Sequence, residues 1–92
     1  MAYYVYILTN KNKTVLYTGL TGNLEQRIMQ HKAGEVEGFT KKYNVSNLIY
    51  FEEFKNIDDA KYREKRIKAW KRQWKENLIN ESNPRWDEVL IV

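Results

Sequence analysis

Tyr3-Tyr4-Val5-Tyr6-Ile7-Leu8-Thr9-Asn10-Lys11-Asn12-Lys13-Thr14-Val15-Leu16-Tyr17-Thr18-Gly19 is the stretch whose reading decides the fold. Its first seven residues are β-branched, aromatic or aliphatic, the composition of a half-buried strand. Asn10-Lys11-Asn12-Lys13 is a polar turn, and Thr14 to Gly19 reads as the returning strand. A hairpin centred between Lys11 and Asn12 places Tyr6 opposite Tyr17, with both phenols on one face. A slip of one residue would send them to opposite faces.

Downstream, Thr21-Gly22-Asn23 supplies a turn with Asn23 as helix N-cap. The helix runs to about Lys32 and stops before Gly34. Its inward stripe is Leu24, Arg27, Ile28 and His31, so two positions that should be apolar are ionisable. Arg27 and His31 are four apart and therefore neighbours on the helix surface. Arginine is rarely buried without a partner, and its planar fork suits phosphate oxygens. The plainer alternatives are a salt bridge from Arg27 to Glu64, a satisfied core role for His31, and ordinary cross-strand packing for Tyr6 and Tyr17.

Ala33 to Gly38 reads as a loop and Phe39 to Tyr43 as a single helical turn. Asn47 to Phe54 is a third strand, and Asn56 opens a helix with Asp58 and Asp59 favourably placed in its first turn. Ala60, Glu64, Ile67, Trp70 and Trp74 follow at helical spacing, Glu64 occupying a slot the pattern would give to an apolar residue. A carboxylate there requires a cation, either arginine or a divalent metal. Helical character continues to about Asn80, and Pro84 marks its end. The pattern is compatible with one helix through Trp74 or a break near Trp70. The reading is an α+β fold: a small, mainly antiparallel three-stranded sheet flanked by helices in the order β-β-α-β-α-α. We expect one domain over residues 1–92, with a core of about 1–80 and a C-terminal extension, 81–92.

Ninety-two residues bound the chain to one domain with a modest core, which aromatics at 14% help to fill. The absence of cysteine excludes a disulfide framework and a thiolate metal site, and fits a reducing compartment. No apolar run approaches the roughly 20 residues needed to span a bilayer, and no signal peptide is visible. The expectation is a cytoplasmic protein without membrane contact. The net charge of +4 is uneven, because half of the 16 Lys and Arg lie between Lys61 and Lys75, with Glu64 the sole acid among them. Such a run is either a solvated helix face or a footprint for phosphate backbone.

The order Tyr4-Val5-Tyr6, then Tyr17-Thr18-Gly19, then Arg27, His31 and a late Glu64 resembles the GIY-YIG nuclease domain. The resemblance covers roughly Met1 to Asn80. It is similar to small stand-alone members of that superfamily and to the N-terminal nuclease domain of excinuclease C. The segments Gly38 to Tyr43 and Arg63 to Lys68 also look like those small members. The resemblance implies hydrolysis of DNA phosphodiester bonds with one divalent metal, Mg2+ or Mn2+, in DNA repair or processing. It implies that Glu64 binds the metal, that Arg27 steadies the scissile phosphate, that Tyr17, with Tyr6 second, deprotonates the attacking water, and that His31 hydrogen-bonds the phenol. Phenol has a pKa near 10 and needs a nearby cation to serve as a base at neutral pH. Lys41, Tyr43, Lys68 and Arg72 are the expected nucleic-acid contacts. Tyr4 stands where the family name specifies glycine, Thr18 where it specifies isoleucine, and Leu20 where some members carry lysine. The asparagine that other members place three turns after the glutamate falls near Glu76 and Asn77. The rival readings are a nucleic-acid-binding module of the same fold with weak or no hydrolysis, and a protein-interaction domain presenting Trp70 and Trp74.

Overall fold

The computed structural model describes residues 1–91. Three strands, β1 (Tyr3–Thr9), β2 (Leu16–Thr21) and β3 (Asn47–Phe54), form one antiparallel sheet in the order β2-β1-β3. Four helices accompany it: α1 (Leu24–Lys32), α2 (Phe39–Lys42), α3 (Ile57–Ala69) and α4 (Arg72–Ser82). The α+β reading therefore holds, with the single turn at α2 added to the six-element order.

The central strand explains why helices flank the sheet on both sides. Val5 to Thr9 of β1 are all buried, so alternate residues feed two cores. Tyr6 and Leu8 join Leu24 and Ile28 of α1, together with Val45 and Leu48. Val5 and Ile7 join Ala60 and Ile67 of α3, Ile79 of α4 and Ile49. Ile67 and Ile79 have no exposed surface, and burying such a side chain contributes roughly 1.5–3 kcal/mol each. The pairing shifts between Ile7, which faces Tyr50, and Leu8, which faces Leu48. Ile49 is the extra residue of that bulge and turns into the α3–α4 core.

The hairpin register differs from the expected one. Tyr6 faces Gly19, and Leu8 faces Tyr17, so the hairpin is centred between Asn12 and Lys13 and β2 begins at Leu16 rather than Thr14. The cause is the Asn10 side chain, whose Oδ1 accepts from the amides of Thr14 at 2.8 Å and Val15 at 3.2 Å. Lys13, at φ 60, donates its amide to the Asn10 carbonyl. The connection is thereby longer than a tight turn. Because the displacement moves the partner by two positions, parity is kept and both phenols still share a face.

Helix boundaries follow local chemistry. Asn23 caps α1 by accepting from Gln26, and Asn56 caps α3 by accepting from Asp58 and Asp59. Gly34, at φ 72, takes the left-handed conformation that ends α1. The chain does break after α3. Trp70 and Lys71 are both extended, and the turn lets α4 return Ile79 to the core that already holds Ile67. Past α4, Asn83 donates to the Ile49 carbonyl and Val89 donates to the Leu48 carbonyl, so the tail runs along β3. Among the described residues no helix is long and apolar enough to cross a membrane.

Candidate active site

Gly19 creates the space in which the site is built. A Cβ there would lie closer than 3.0 Å to Cζ, Oη and Cε2 of Tyr6, so the Tyr6 ring lies against bare backbone. Tyr6 is only 1% exposed, and its Oη lies 3.0 Å from Nε2 of His31 on α1. His31 is itself buried, and its Nδ1 lies 3.2 Å from Oγ1 of Thr40 on α2, also buried. Thr40, His31 and Tyr6 thus form one hydrogen-bonded chain from α2 through α1 to the central strand.

Tyr17 completes an aromatic cluster. Its ring centroid is 6.4 Å from that of Tyr6 and 5.7 Å from that of His31. On its other side it stacks with Phe39 at 6.3 Å, and Phe39 meets Tyr43 at 4.9 Å. Phe39 and Tyr43 are exposed, and Lys42 Nζ lies 5.4 Å from the centre of the Tyr43 ring. A row of rings therefore leads outward from Tyr17 across α2. Tyr17 is half-buried, in contrast to Tyr6, and so is the phenol that solvent reaches.

Arg27 lies one turn before His31 and is half-buried. Its Nη1 donates to Gln30 Oε1 at 3.3 Å. The salt bridge to Glu64 weighed above is not formed. Glu64, half-buried on α3, pairs instead with Lys68 at 3.2 Å. Electrostatics nevertheless tie the groups together. Burial raises the pKa of the Tyr6 phenol, an effect that the neighbouring Arg27 guanidinium opposes and that Tyr17 and Glu64 reinforce. At Tyr6 burial outweighs Arg27. Burial, with Arg27 second, lowers His31 to about 4, so the imidazole is neutral at physiological pH.

The expected site residues Tyr6, Tyr17, Arg27 and His31 thus converge from β1, β2 and α1, and Glu64 reaches the same phenol electrostatically from α3. The hydrogen bond of His31 is to Tyr6, not to Tyr17. Lys41 and Tyr43 lie exposed on the α2 rim beyond Phe39, with Lys41 contacting Glu37 at 3.5 Å. Lys68 shares Glu64. Arg72 bonds the Thr14 carbonyl at 2.7 Å and Glu76 at 2.7 Å, which fastens α4 to the hairpin loop. A phosphate would have to displace those bonds.

No group of three or more His, Asp or Glu comes together among the described residues. Glu64 provides one half-buried carboxylate, and its partner Lys68 has a side chain 52% exposed that can yield to a competing cation. That donor set fits a hard divalent ion whose remaining positions are taken by water and phosphate oxygens.

Thr40, Phe39 and a second polar network were not singled out by the sequence pattern. In that network Arg63 binds Glu52 through two bonds of 2.9 and 2.8 Å, Tyr50 donates to the same carboxylate, and the Arg63 guanidinium lies 5.2 Å from the Trp70 ring centre. The sequence signals for Thr40 and Phe39 are the polar and aromatic character of the segment after Gly38 and its resemblance to small family members.

The GIY-YIG catalytic domain family matches residues 2–77. A UPF0213 protein of Staphylococcus haemolyticus is 42% identical over 79 residues, covering 86% of this chain and 95% of the relative. A UPF0213 protein of Clostridium perfringens is 44% identical over 77 residues, covering 84% and 82%. The solution NMR structure of a UPF0213 protein from Bacillus halodurans superposes with a TM-score of 0.61 at 29% identity, covering 95% of this chain and 92% of that one.

Proposed function

The chain belongs to the GIY-YIG catalytic domain family, and we propose that it is a divalent-metal-dependent endonuclease that hydrolyses DNA phosphodiester bonds in repair or processing. The observation that carries this reading is Arg27. The residue is half-buried, its guanidinium acts on the Tyr6 phenol and the His31 imidazole, and it donates to the Gln30 amide. Among the described residues no carboxylate pairs with it, so it lacks the anion its environment calls for. A scissile phosphate supplies that anion, and the planar fork of Arg27 matches its oxygens.

In this reading Tyr17, the solvent-reachable phenol, acts as general base in its ionised form, the phenolate taking the proton of the attacking water and becoming the neutral phenol. Tyr6 stays inside, held by His31, and its oxygen helps to fix Arg27 against the phosphate. Glu64 would hold Mg2+ or Mn2+, which would supply Lewis-acid stabilisation of developing phosphate charge. Electrostatic support of this kind is worth about 2.7–4 kcal/mol per contact in a closed site. Lys41, Tyr43 and Phe39 on the α2 rim, and Lys68 one turn beyond Glu64, are where the nucleic-acid strand meets the protein.

The test incubates purified protein with branched, nicked, single-stranded and duplex DNA, with and without Mg2+ or Mn2+, beside Arg27→Ala and Glu64→Ala. Metal-dependent cleavage lost in both variants is the expected result. Salt-sensitive binding without cleavage in any condition would replace the enzyme with a nucleic-acid-binding module.

A further inference from the structure

We propose that Thr40 is a positioning residue that, together with the buried Tyr6 hydroxyl, holds His31 in its Nδ1–H tautomer and so fixes the direction of that hydroxyl in the site. The tautomer follows from accounting for one proton. Tyr6 is 1% exposed, so its hydroxyl hydrogen requires an acceptor inside the protein. Nε2 of His31, 3.0 Å away, is the acceptor available to it. A nitrogen that accepts carries no hydrogen, and a neutral imidazole has one, which must then be on Nδ1. Nδ1 faces Oγ1 of Thr40 at 3.2 Å, and in this tautomer that oxygen accepts.

The opposite tautomer fails the same accounting. With the hydrogen on Nε2, His31 would donate to the Tyr6 oxygen, and the phenol hydrogen would have to turn from its buried acceptor toward the Arg27 guanidinium, which can only donate. An unsatisfied buried hydroxyl is costly. The Nδ1–H form instead leaves the Tyr6 oxygen able to accept from the neighbouring Arg27. The neutral state of the ring, held by burial and by Arg27, is consistent with this arrangement.

The consequence for the reaction rests on the nuclease reading. Thr40 touches neither phosphate nor water, but it keeps Tyr6 acting as an acceptor toward Arg27, and Arg27 orients the phosphate. Loss of the outer partner that orients a metal-bound histidine costs about 10–100-fold elsewhere, and a loss of that order is expected here.

The experiment uses the fact that His31 is the single histidine of the chain. Long-range proton–nitrogen correlation on uniformly 15N-labelled protein at neutral pH reports both ring nitrogens without ambiguity of assignment. Wild type should show a protonated Nδ1 and an unprotonated Nε2. Thr40→Val should move the ring to the Nε2–H form or to a mixture, and Thr40→Ser should restore the wild-type pattern. Cleavage should follow, falling roughly 10–100-fold in Thr40→Val and recovering in Thr40→Ser. If the valine variant does not fold, Thr40→Ala replaces it. A wild-type spectrum with hydrogen on Nε2, or an unchanged tautomer in Thr40→Val or Thr40→Ala, would overturn the proposal. The spectrum judges the tautomer whether or not the protein cleaves DNA, so failure of the nuclease reading shows up separately in the cleavage assay.

Discussion

Gly19→Ala should be severely destabilising although it adds one methyl group to a strand. The methyl would sit closer than 3.0 Å to three atoms of the Tyr6 ring, and the ring must retreat to 3.4 Å or beyond to restore ordinary contact. Tyr6 has no free space to enter, since it is buried and its hydroxyl is held by His31 at 3.0 Å. Overpacking of a filled core costs about 1–3 kcal/mol. Pulling the hydroxyl off His31 leaves two buried polar groups unpaired and adds about 1–3 kcal/mol. We expect a total of roughly 2–6 kcal/mol. For a domain of this length that is a fall in Tm of about 8–48 °C. Thermal and urea unfolding followed by tryptophan fluorescence measure it. In a Tyr6→Leu background the same alanine should cost much less, because the shorter side chain vacates the space, giving a clear coupling energy. A Gly19→Ala protein melting within about 3 °C of wild type would refute the packing argument.

Arg27→Ala should reduce cleavage by roughly 10²–10³-fold with little change in Tm, because among the described residues it makes no ion pair whose loss would strand a buried charge. Glu64→Ala should abolish metal-dependent cleavage and any calorimetric signal for Mn2+, with Tm nearly unchanged because its pair with Lys68 is partly exposed. Glu52→Gln should cost about 1.5–3 kcal/mol in urea unfolding, since Arg63 loses a two-bond charged partner in a mostly covered site. The buried neutral His31 has a folded pKa of about 4, below its unfolded value of about 6.5. The unfolded chain therefore binds more protons in that window, and stability should fall as pH drops from about 6.5 toward 4. His31→Gln should show a shallower decline, which paired melts across that range would detect.

Much of this was legible in the chain. β1 and β3 are dense in β-branched and aromatic residues, and Asn23 and Asn56 mark helix starts by a local hydrogen bond that sequence alone reveals. The ionisable residues on inward stripes led to Arg27, His31 and Glu64. The register was not legible, because the Asn10 side chain substitutes for backbone in the turn, and nothing in composition distinguishes that from a tighter hairpin. Parity survived the error, so the two phenols were still placed on the same face. Arg63 and Arg72 read as members of one basic run, yet each is engaged by a partner far away in sequence, Glu52 or the Thr14 carbonyl. Thr40 was missed for a related reason: a threonine acquires a role only when the fold brings a histidine to it.

The tail beyond α4 has a consequence for association. By taking hydrogen bonds at Leu48 and Ile49, it occupies part of the outer margin of β3. β2 has a strand neighbour on one side only. A strand contributed by another molecule would accordingly find its template on β2, the strand that carries Tyr17. Edge-to-edge assembly would then crowd the entrance to the phenol cluster, so any filament or dimer made in that way should be a dormant form. Polymerisation and turnover would compete for the same margin of the sheet.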